Sequence, residues 1–180
     1  MGYQYIRTYT GKKFYPMAPE ADAIDIKDIA HALSLVCRGN GHVNRFFSVA
    51  QHCINCALEA EARGLSQRVI LACLIHDASE AYMSDVPRPF KQFLGEYAKH
   101  EEKLLEVVYN KFLGSDLTEE EKEQIKAIDD DLLYFDLREL LDEPQDMQEP
   151  VIHIDINYDF IPFEEVEQRY LNLYEKWKVM

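Results

Sequence analysis

Apolar residues recur every three or four positions between Ile26 and Leu141 and again from Pro162 to Lys178, which predicts a succession of amphipathic helices. Ile26, Ile29, Ala30, Leu33 and Val36 make the first stripe, capped by Asp25 or Asp28 and running to about Cys37. Arg38-Gly39-Asn40-Gly41-His42 breaks it with a turn where backbone can approach a ligand. A second helix starts near Asn44 or Ser48 and runs to Arg63, with Val49, Cys53, Ile54, Cys56 and Ala57 inward and Gly64 ending it. Ser66 caps a third, whose apolar run Leu71 to Tyr82 carries His76, Asp77 and Glu80 on its later turns. Pro87 and Pro89 force a loop, Tyr97 to Leu113 is the next helix, and Thr118 with Glu121 writes a capping box for a helix to about Leu141. Val151 to Ile156 alternates and predicts a short strand pairing with the N-terminal arm, which itself can form a hairpin around Thr10-Gly11. The fold class is all-α, with at most a small β-hairpin from the arm and residues 151–156. The expected organisation is one domain over residues 1–180, with a core of about 25–140, an N-terminal arm 1–23 and a C-terminal extension 145–180.

Length and composition, 180 residues with 47% apolar and 12% aromatic, suit a globular protein with a real core. The formal charge of −14 argues against a nucleic acid polymer or an anionic membrane as partner, while leaving room for a small phosphorylated molecule held by a metal. No segment reads as a signal peptide or a membrane span, so the expected location is cytoplasmic. Cys37, Cys53, Cys56 and Cys73 include one Cys-x-x-Cys inside a helical pattern with no second pair to follow, and read as buried, reduced thiols.

The chemistry gathers on three helices. His76 and Asp77 end an apolar run, and Glu80 lies one turn on, so an imidazole and two carboxylates share a helical neighbourhood. His52 lies on or beside the apolar face of the second helix. Within Asp129-Asp130-Asp131, Asp129 follows Ile125 by four and precedes Leu133 by four, so it faces inward, where a charge needs a partner or a metal. Two histidines and two carboxylates on inward faces are the ligand set of a catalytic divalent ion.

With these residues in place the chain resembles the HD superfamily of metal-dependent phosphohydrolases, through the pattern His52, His76-Asp77, Asp129. Ser48-Val49-Ala50-Gln51-His52, Ile75 to Glu80, Asp85-Val86-Pro87-Arg88-Pro89-Phe90-Lys91, and Lys126 to Asp129 with Tyr134 are similar to the motifs of the HD-domain 5'-deoxynucleotidases. The resemblance covers about residues 25–140. It implies an HD-type helical bundle and one divalent ion (Mn, Co, Mg, Zn, Fe or Ni) held by His52, His76, Asp77 and Asp129. It also implies Asp77 and Glu80 as catalytic carboxylates, and Arg38, His42, Asp85, Arg88 and Lys91 around the substrate's phosphate. The implied reaction is hydrolysis of a (deoxy)nucleotide 5'-monophosphate to nucleoside and phosphate. Triphosphohydrolysis of a dNTP and a non-catalytic nucleotide-binding module are the alternatives. A homodimer is left open. In the deoxynucleotidases a tryptophan that helps select deoxyribose follows the arginine; here Gly39 follows Arg38, and the one tryptophan is Trp177.

Overall fold

The computed structural model describes residues 4–144, 146 and 148–178. Helices dominate, as the periodicity predicts. In chain order a two-residue hairpin, β1 (Ile6–Arg7) and β2 (Lys13–Phe14), precedes α1 (Ile26–Leu35), α2 (Val49–Ala62) and α3 (Gln67–Ile75). Two single turns follow, α4 (Glu80–Met83) and α5 (Arg88–Lys91), and then the long helices α6 (Gly95–Leu113), α7 (Glu119–Leu141) and α8 (Phe163–Trp177). Among the described residues no helix is long and apolar enough to cross a membrane.

Helices α2 and α3 pack on each other at the centre. α8 packs against α1, α2 and α3, while α7 packs against α2 and α3. Small side chains on α2, Ala50, Cys53, Ala57 and Ala60, let α3 approach closely, and Leu71, Leu74 and Ile75 fill the space between them, all of them buried. The caps are those the sequence offers. Thr118 and Glu121 form their capping box, Ser66 caps α3, and Ser48 with Gln51 forms a second capping box that fixes where α2 begins.

Asp25 caps α1, and Asp28 does something else. Asp28 is buried and accepts bonds from the Thr10 N–H at 2.6 Å and the Thr10 hydroxyl at 2.9 Å. The hairpin is thereby anchored on α1, and Phe14 from it is fully buried, stacked on Tyr82.

Two expectations are corrected. Residues 151–156 form no strand. Their alternation is real, with Ile152, Ile154 and Ile156 half-buried between exposed neighbours, but no ladder partner meets them. Among the described residues the hairpin pairs only within itself, and the His153 N–H is taken by the Glu59 carboxylate at 2.8 Å. Secondly, α3 stops at Ile75 instead of carrying His76 to Glu80. From there the chain tightens, with the N–H of Ala78, Glu80, Ala81 and Tyr82 each bonding the carbonyl three residues back.

The C-terminal segment belongs to the core: Val166 and Tyr170 are fully buried, and the Tyr170 hydroxyl donates to the Leu74 carbonyl at 2.6 Å. That bond satisfies one of the last carbonyls of α3, just before His76.

Candidate metal centre

His52 sits in the first turns of α2, where the Ser48 cap sets the helix phase and turns the ring inward at 1% exposure. Its Nδ1 is 3.0 Å from Asp136 Oδ2, and its Nε2 is 3.0 Å from Asp129 Oδ1. Asp129 and Asp136 stand two turns apart on α7, so one helix grips the ring from both sides. His76, at the end of α3, donates from Nδ1 to its own Cys73 carbonyl at 2.8 Å, because a carbonyl can only accept. In the neutral ring the lone pair is then on Nε2. That atom is buried and makes no hydrogen bond, although Asp77 Oδ1 lies 3.2 Å away and Asp129 Oδ1 3.9 Å away.

The atoms form a chain of neighbours: His52 Nε2 and Asp129 Oδ1 are 3.0 Å apart, Asp129 Oδ1 and His76 Nε2 3.9 Å, and His76 Nε2 and Asp77 Oδ1 3.2 Å. For ligands about 2.0–2.2 Å from one ion, neighbours about 3.0–3.6 Å apart are expected from simple geometry. The other partner of each imidazole, Asp136 for His52 and the Cys73 carbonyl for His76, occupies Nδ1 and turns Nε2 toward the cluster, the arrangement that metal-bound histidines use. The cluster could hold a metal, and two cysteines border it: His52, Cys56 and His76, and likewise Cys53, His76 and Asp77, have ligand atoms within 4.8 Å of one another.

The electrostatics call for positive charge. Asp77, Glu80, Asp85, Asp129 and Asp136 lie around Arg38 and Arg88. Burial works against every charge here. The hydrogen bond to His52 and the charges of both histidines overcome it at Asp129, held far below the usual carboxylate range. At Asp136 burial is overcome by the bond to His52 and the charge of Arg38, and this acid too is lowered. Both imidazoles are correspondingly raised despite their burial, His52 by Cys56, Asp129 and Asp136 and His76 chiefly by Asp77. Glu80 goes the opposite way. Burial first, then the charges of Asp77 and Asp85, push it up to about 9, and its Oε2 has no hydrogen-bond partner.

Arg38 is 13% exposed and bonds Asp136 Oδ2 through Nη2 at 3.1 Å, with Nη1 3.9 Å from Asp77 Oδ2. Its position is set by the antiparallel bridge that pairs Cys37 with Ser48 and by the turn that follows. Gly39 and Asn40 in that turn have φ of 58° and 53°. A Cβ on Gly39 would meet Val43 Cγ1 at 3.3 Å and would sit at a positive φ, so a side chain at this position would be strained.

Of the remaining predicted residues, Arg88 reaches Asp129 Oδ2 at 2.5 Å and Asp130 Oδ1 at 3.0 Å, leaving Asp129 Oδ1 to the histidines. Asp85 is close enough for its charge to raise Glu80. Lys91 is drawn away to Glu101 at 2.6 Å, and His42 is exposed, with its backbone N–H closing the turn onto Gly39. Asp130 pairs with Lys126 and Arg88 on the outside, so Asp129 is the inward member of the triplet.

Sequence reasoning missed Asp136 and Tyr158. Asp136 binds His52, Arg38 and, through Oδ1 at 3.0 Å, the Tyr158 hydroxyl. Its signal was present: it lies four after Leu132 and seven after Asp129, on the same inward face.

Beside the cluster a cavity of about 450 Å³ opens between α6 and α7, with His76 and Asp129 in its wall. Glu101, Glu102, Glu106 and Asp116 line it, with Lys122 and Lys126 the lysines among them.

No family model matches the chain. Two curated proteins are similar to it. One is the uncharacterized protein YfdR of Escherichia coli (strain K12), 41% identical over 108 residues, which are 60% of this chain and 58% of that protein. The other is the uncharacterized protein RCAP_rcc00048 of Rhodobacter capsulatus, 35% identical over 129 residues, 68% of this chain and 66% of its own length. The chain thus spans less than two thirds of either relative.

Proposed function

We propose that the chain is an HD-type, metal-dependent phosphohydrolase that cleaves a phosphate monoester, with a (deoxy)nucleotide 5'-monophosphate as the substrate class. The observation that carries this reading is the convergence of His52 Nε2, His76 Nε2, Asp77 Oδ1 and Asp129 Oδ1, with His76 Nε2 buried and unpartnered. These four residues would hold the ion. A divalent ion in such a site supplies Lewis acidity toward a phosphoryl oxygen and a water acidified toward neutrality.

The chain's own groups supply the rest. Asp136 and the Cys73 carbonyl keep both imidazoles turned with Nε2 toward the cluster. Arg38 presents a guanidinium from a water-poor wall, where a charge-assisted contact to a phosphate oxygen is strong. Glu80, which keeps its proton near neutral pH, can hand it to a departing oxygen. Asp77 faces His76 with Oδ1 and Arg38 with Oδ2, between the ligands and the phosphate-binding side.

The cavity supports a monophosphate over a triphosphate. Its volume is in the range of small-ligand pockets. Its wall is rich in acids, which repels a polyphosphate tail but suits the hydroxyl and amino donors of a nucleoside.

The test is a screen of nucleoside mono- and triphosphates with Mn, Co, Mg and Zn, with metal content measured in parallel. Stoichiometric metal, lost in Asp129→Ala, and phosphate released from a monophosphate are the expected results. Glu80→Gln should keep the metal and lose about 10²–10⁴-fold in turnover. A protein that binds no divalent ion refutes the reading.

A further inference from the structure

Resting on the metal reading above, we propose that Cys56 is a sulfur ligand of the same centre, which therefore takes a thiophilic divalent ion such as zinc, cobalt or ferrous iron in preference to magnesium. Cys56 follows His52 by one helical turn on α2, so the two side chains share a face. Its Sγ is 3.4 Å from His52 Nε2, and it is 1% exposed.

For an ion with nitrogen at about 2.0–2.1 Å and sulfur at about 2.3 Å, an edge of the coordination sphere between the two ligands runs from about 3.1 Å at about 90° to about 3.5 Å at the tetrahedral angle. The observed spacing fits that edge. The ligand atoms of His52, Cys56 and His76 also all lie within 4.8 Å of one another, as members of one coordination sphere must.

A plain buried thiol explains the position less well. A structural cysteine packs as a small hydrophobe. This one borders a ring nitrogen that already faces Asp129 Oδ1 at 3.0 Å. If that nitrogen carries a proton, it donates to Asp129 and offers the thiol no acceptor. If it carries a lone pair, the ionised Asp129 has no proton to give it, and an ion shared by ring, sulfur and carboxylate would satisfy all three. A second, independent observation points to the same space: His76 Nε2 is buried and has no hydrogen bond, its ring held by the Cys73 carbonyl.

Cys53 is the natural comparison. Its Sγ lies 4.0 Å from Asp77 Oδ2, the carboxylate oxygen turned toward Arg38. Cys53 lies beside His76, whereas Cys56 is grouped with both histidines and reaches His52 Nε2 at 3.4 Å. On coordination its S–H bond breaks, the electron pair stays on sulfur to form the metal–sulfur bond, and the proton leaves to solvent. Soft thiolate in a site of imidazole and carboxylate shifts preference toward zinc, cobalt and iron and away from magnesium.

The full chain, stripped with a chelator and reloaded with Co²⁺ or Zn²⁺ alone, tests this. The cobalt form should show a sulfur-to-cobalt charge-transfer band in the near ultraviolet. X-ray absorption of the zinc form should show one sulfur at about 2.3 Å. Both signals should persist in Cys53→Ser and Cys73→Ser and vanish in Cys56→Ser. That variant should still bind the ion, weakened by at least about tenfold, the lower end of what even an outer partner contributes. Should Cys56→Ser fail to fold, the wild-type spectrum with the other two variants and Cys37→Ser, in all of which the signal should persist, still assigns the sulfur.

An ion bound through His76 with only nitrogen and oxygen around it, or a sulfur signal lost in Cys53→Ser, overturns the Cys56 assignment and leaves the metal centre standing. Absence of any stoichiometric ion, or binding untouched by His76→Ala, overturns the metal reading and the Cys56 ligand with it.

Discussion

Replacing Glu80 by glutamine tests how charge is balanced in the centre without any substrate. Glu80 is buried beside Asp77 and Asp85, and its carboxyl is pushed up to about 9 from an ordinary 4.5. An acid whose folded pKa lies above its unfolded value keeps its proton in the folded chain after the unfolded chain has released it. Its contribution to stability is therefore full below about 4.5 and is lost as pH rises toward 9. At about 1.36 kcal/mol per pH unit, the loss accumulated from 4.5 to neutral pH is roughly 3 kcal/mol. Rotation of the carboxylate toward water relieves part of it, so the expected value is about 1–3 kcal/mol. Glutamine has no charge to bury at any pH. Metal-free Glu80→Gln should match the wild type near pH 4.5 and exceed its stability by a margin that widens through neutral pH. Urea unfolding of chelator-treated proteins at several pH values, followed by circular dichroism, measures that margin. A margin that does not change with pH refutes the burial of an ionisable Glu80. One that shrinks as pH rises reverses the sign and refutes the charge argument altogether.

Other outcomes follow from single contacts. Asp136→Asn replaces the anion that holds the His52 ring, and should weaken metal binding by about 10–100-fold, read by competition with a chromophoric chelator. Arg38→Ala should raise KM for a monophosphate more than it lowers kcat; a fall in kcat with KM unchanged would show that the guanidinium acts only in the transition state. Ser84 has φ 72° and ψ 156°, a conformation suited to glycine, so Ser84→Gly should stabilise the chain by about 1 kcal/mol in thermal or urea unfolding. Tyr170→Phe strands the buried Leu74 carbonyl and should cost about 1–3 kcal/mol, with no change if water enters to replace the hydroxyl.

Much of the helical frame was legible because burial leaves a regular trace. Thr118 with Glu121, Ser66, Gly64 and Gly114 marked ends that the structure keeps, and the phase of Ile125 and Leu133 put Asp129 inward. What escaped depends on partners far away in sequence. Alternation in residues 151–156 reports which side is covered, and cannot say whether a neighbouring strand exists to receive the hydrogen bonds. Composition alone could not tell that the helix tightens after Ile75, since every residue there is compatible with both geometries. Asp136 was hidden for a different reason. It lies amid leucines on an amphipathic helix, and its role appears only when His52, Arg38 and Tyr158 arrive from three other segments. Cys53, Cys56 and Cys73 are free and buried, as their apolar neighbours suggest, while Cys37 is only half-buried; that Cys56 lies 3.4 Å from the His52 ring appears only in the fold.

The dependence of the centre on its late segments sets an order of assembly. His52 is synthesised 118 residues before Tyr170, the residue whose hydroxyl closes the end of α3. At about 5–20 residues per second, that interval is roughly 6–24 s. During it α2 and α3 exist without α7 and α8, and Cys53, Cys56 and Cys73 lack the cover those helices provide. The thiols of the growing chain are then at their most open to oxidation. On the metal reading proposed above, the ligand set is incomplete until α7 brings Asp129 beside His52, so free-metal levels during translation would bear on which ion is taken.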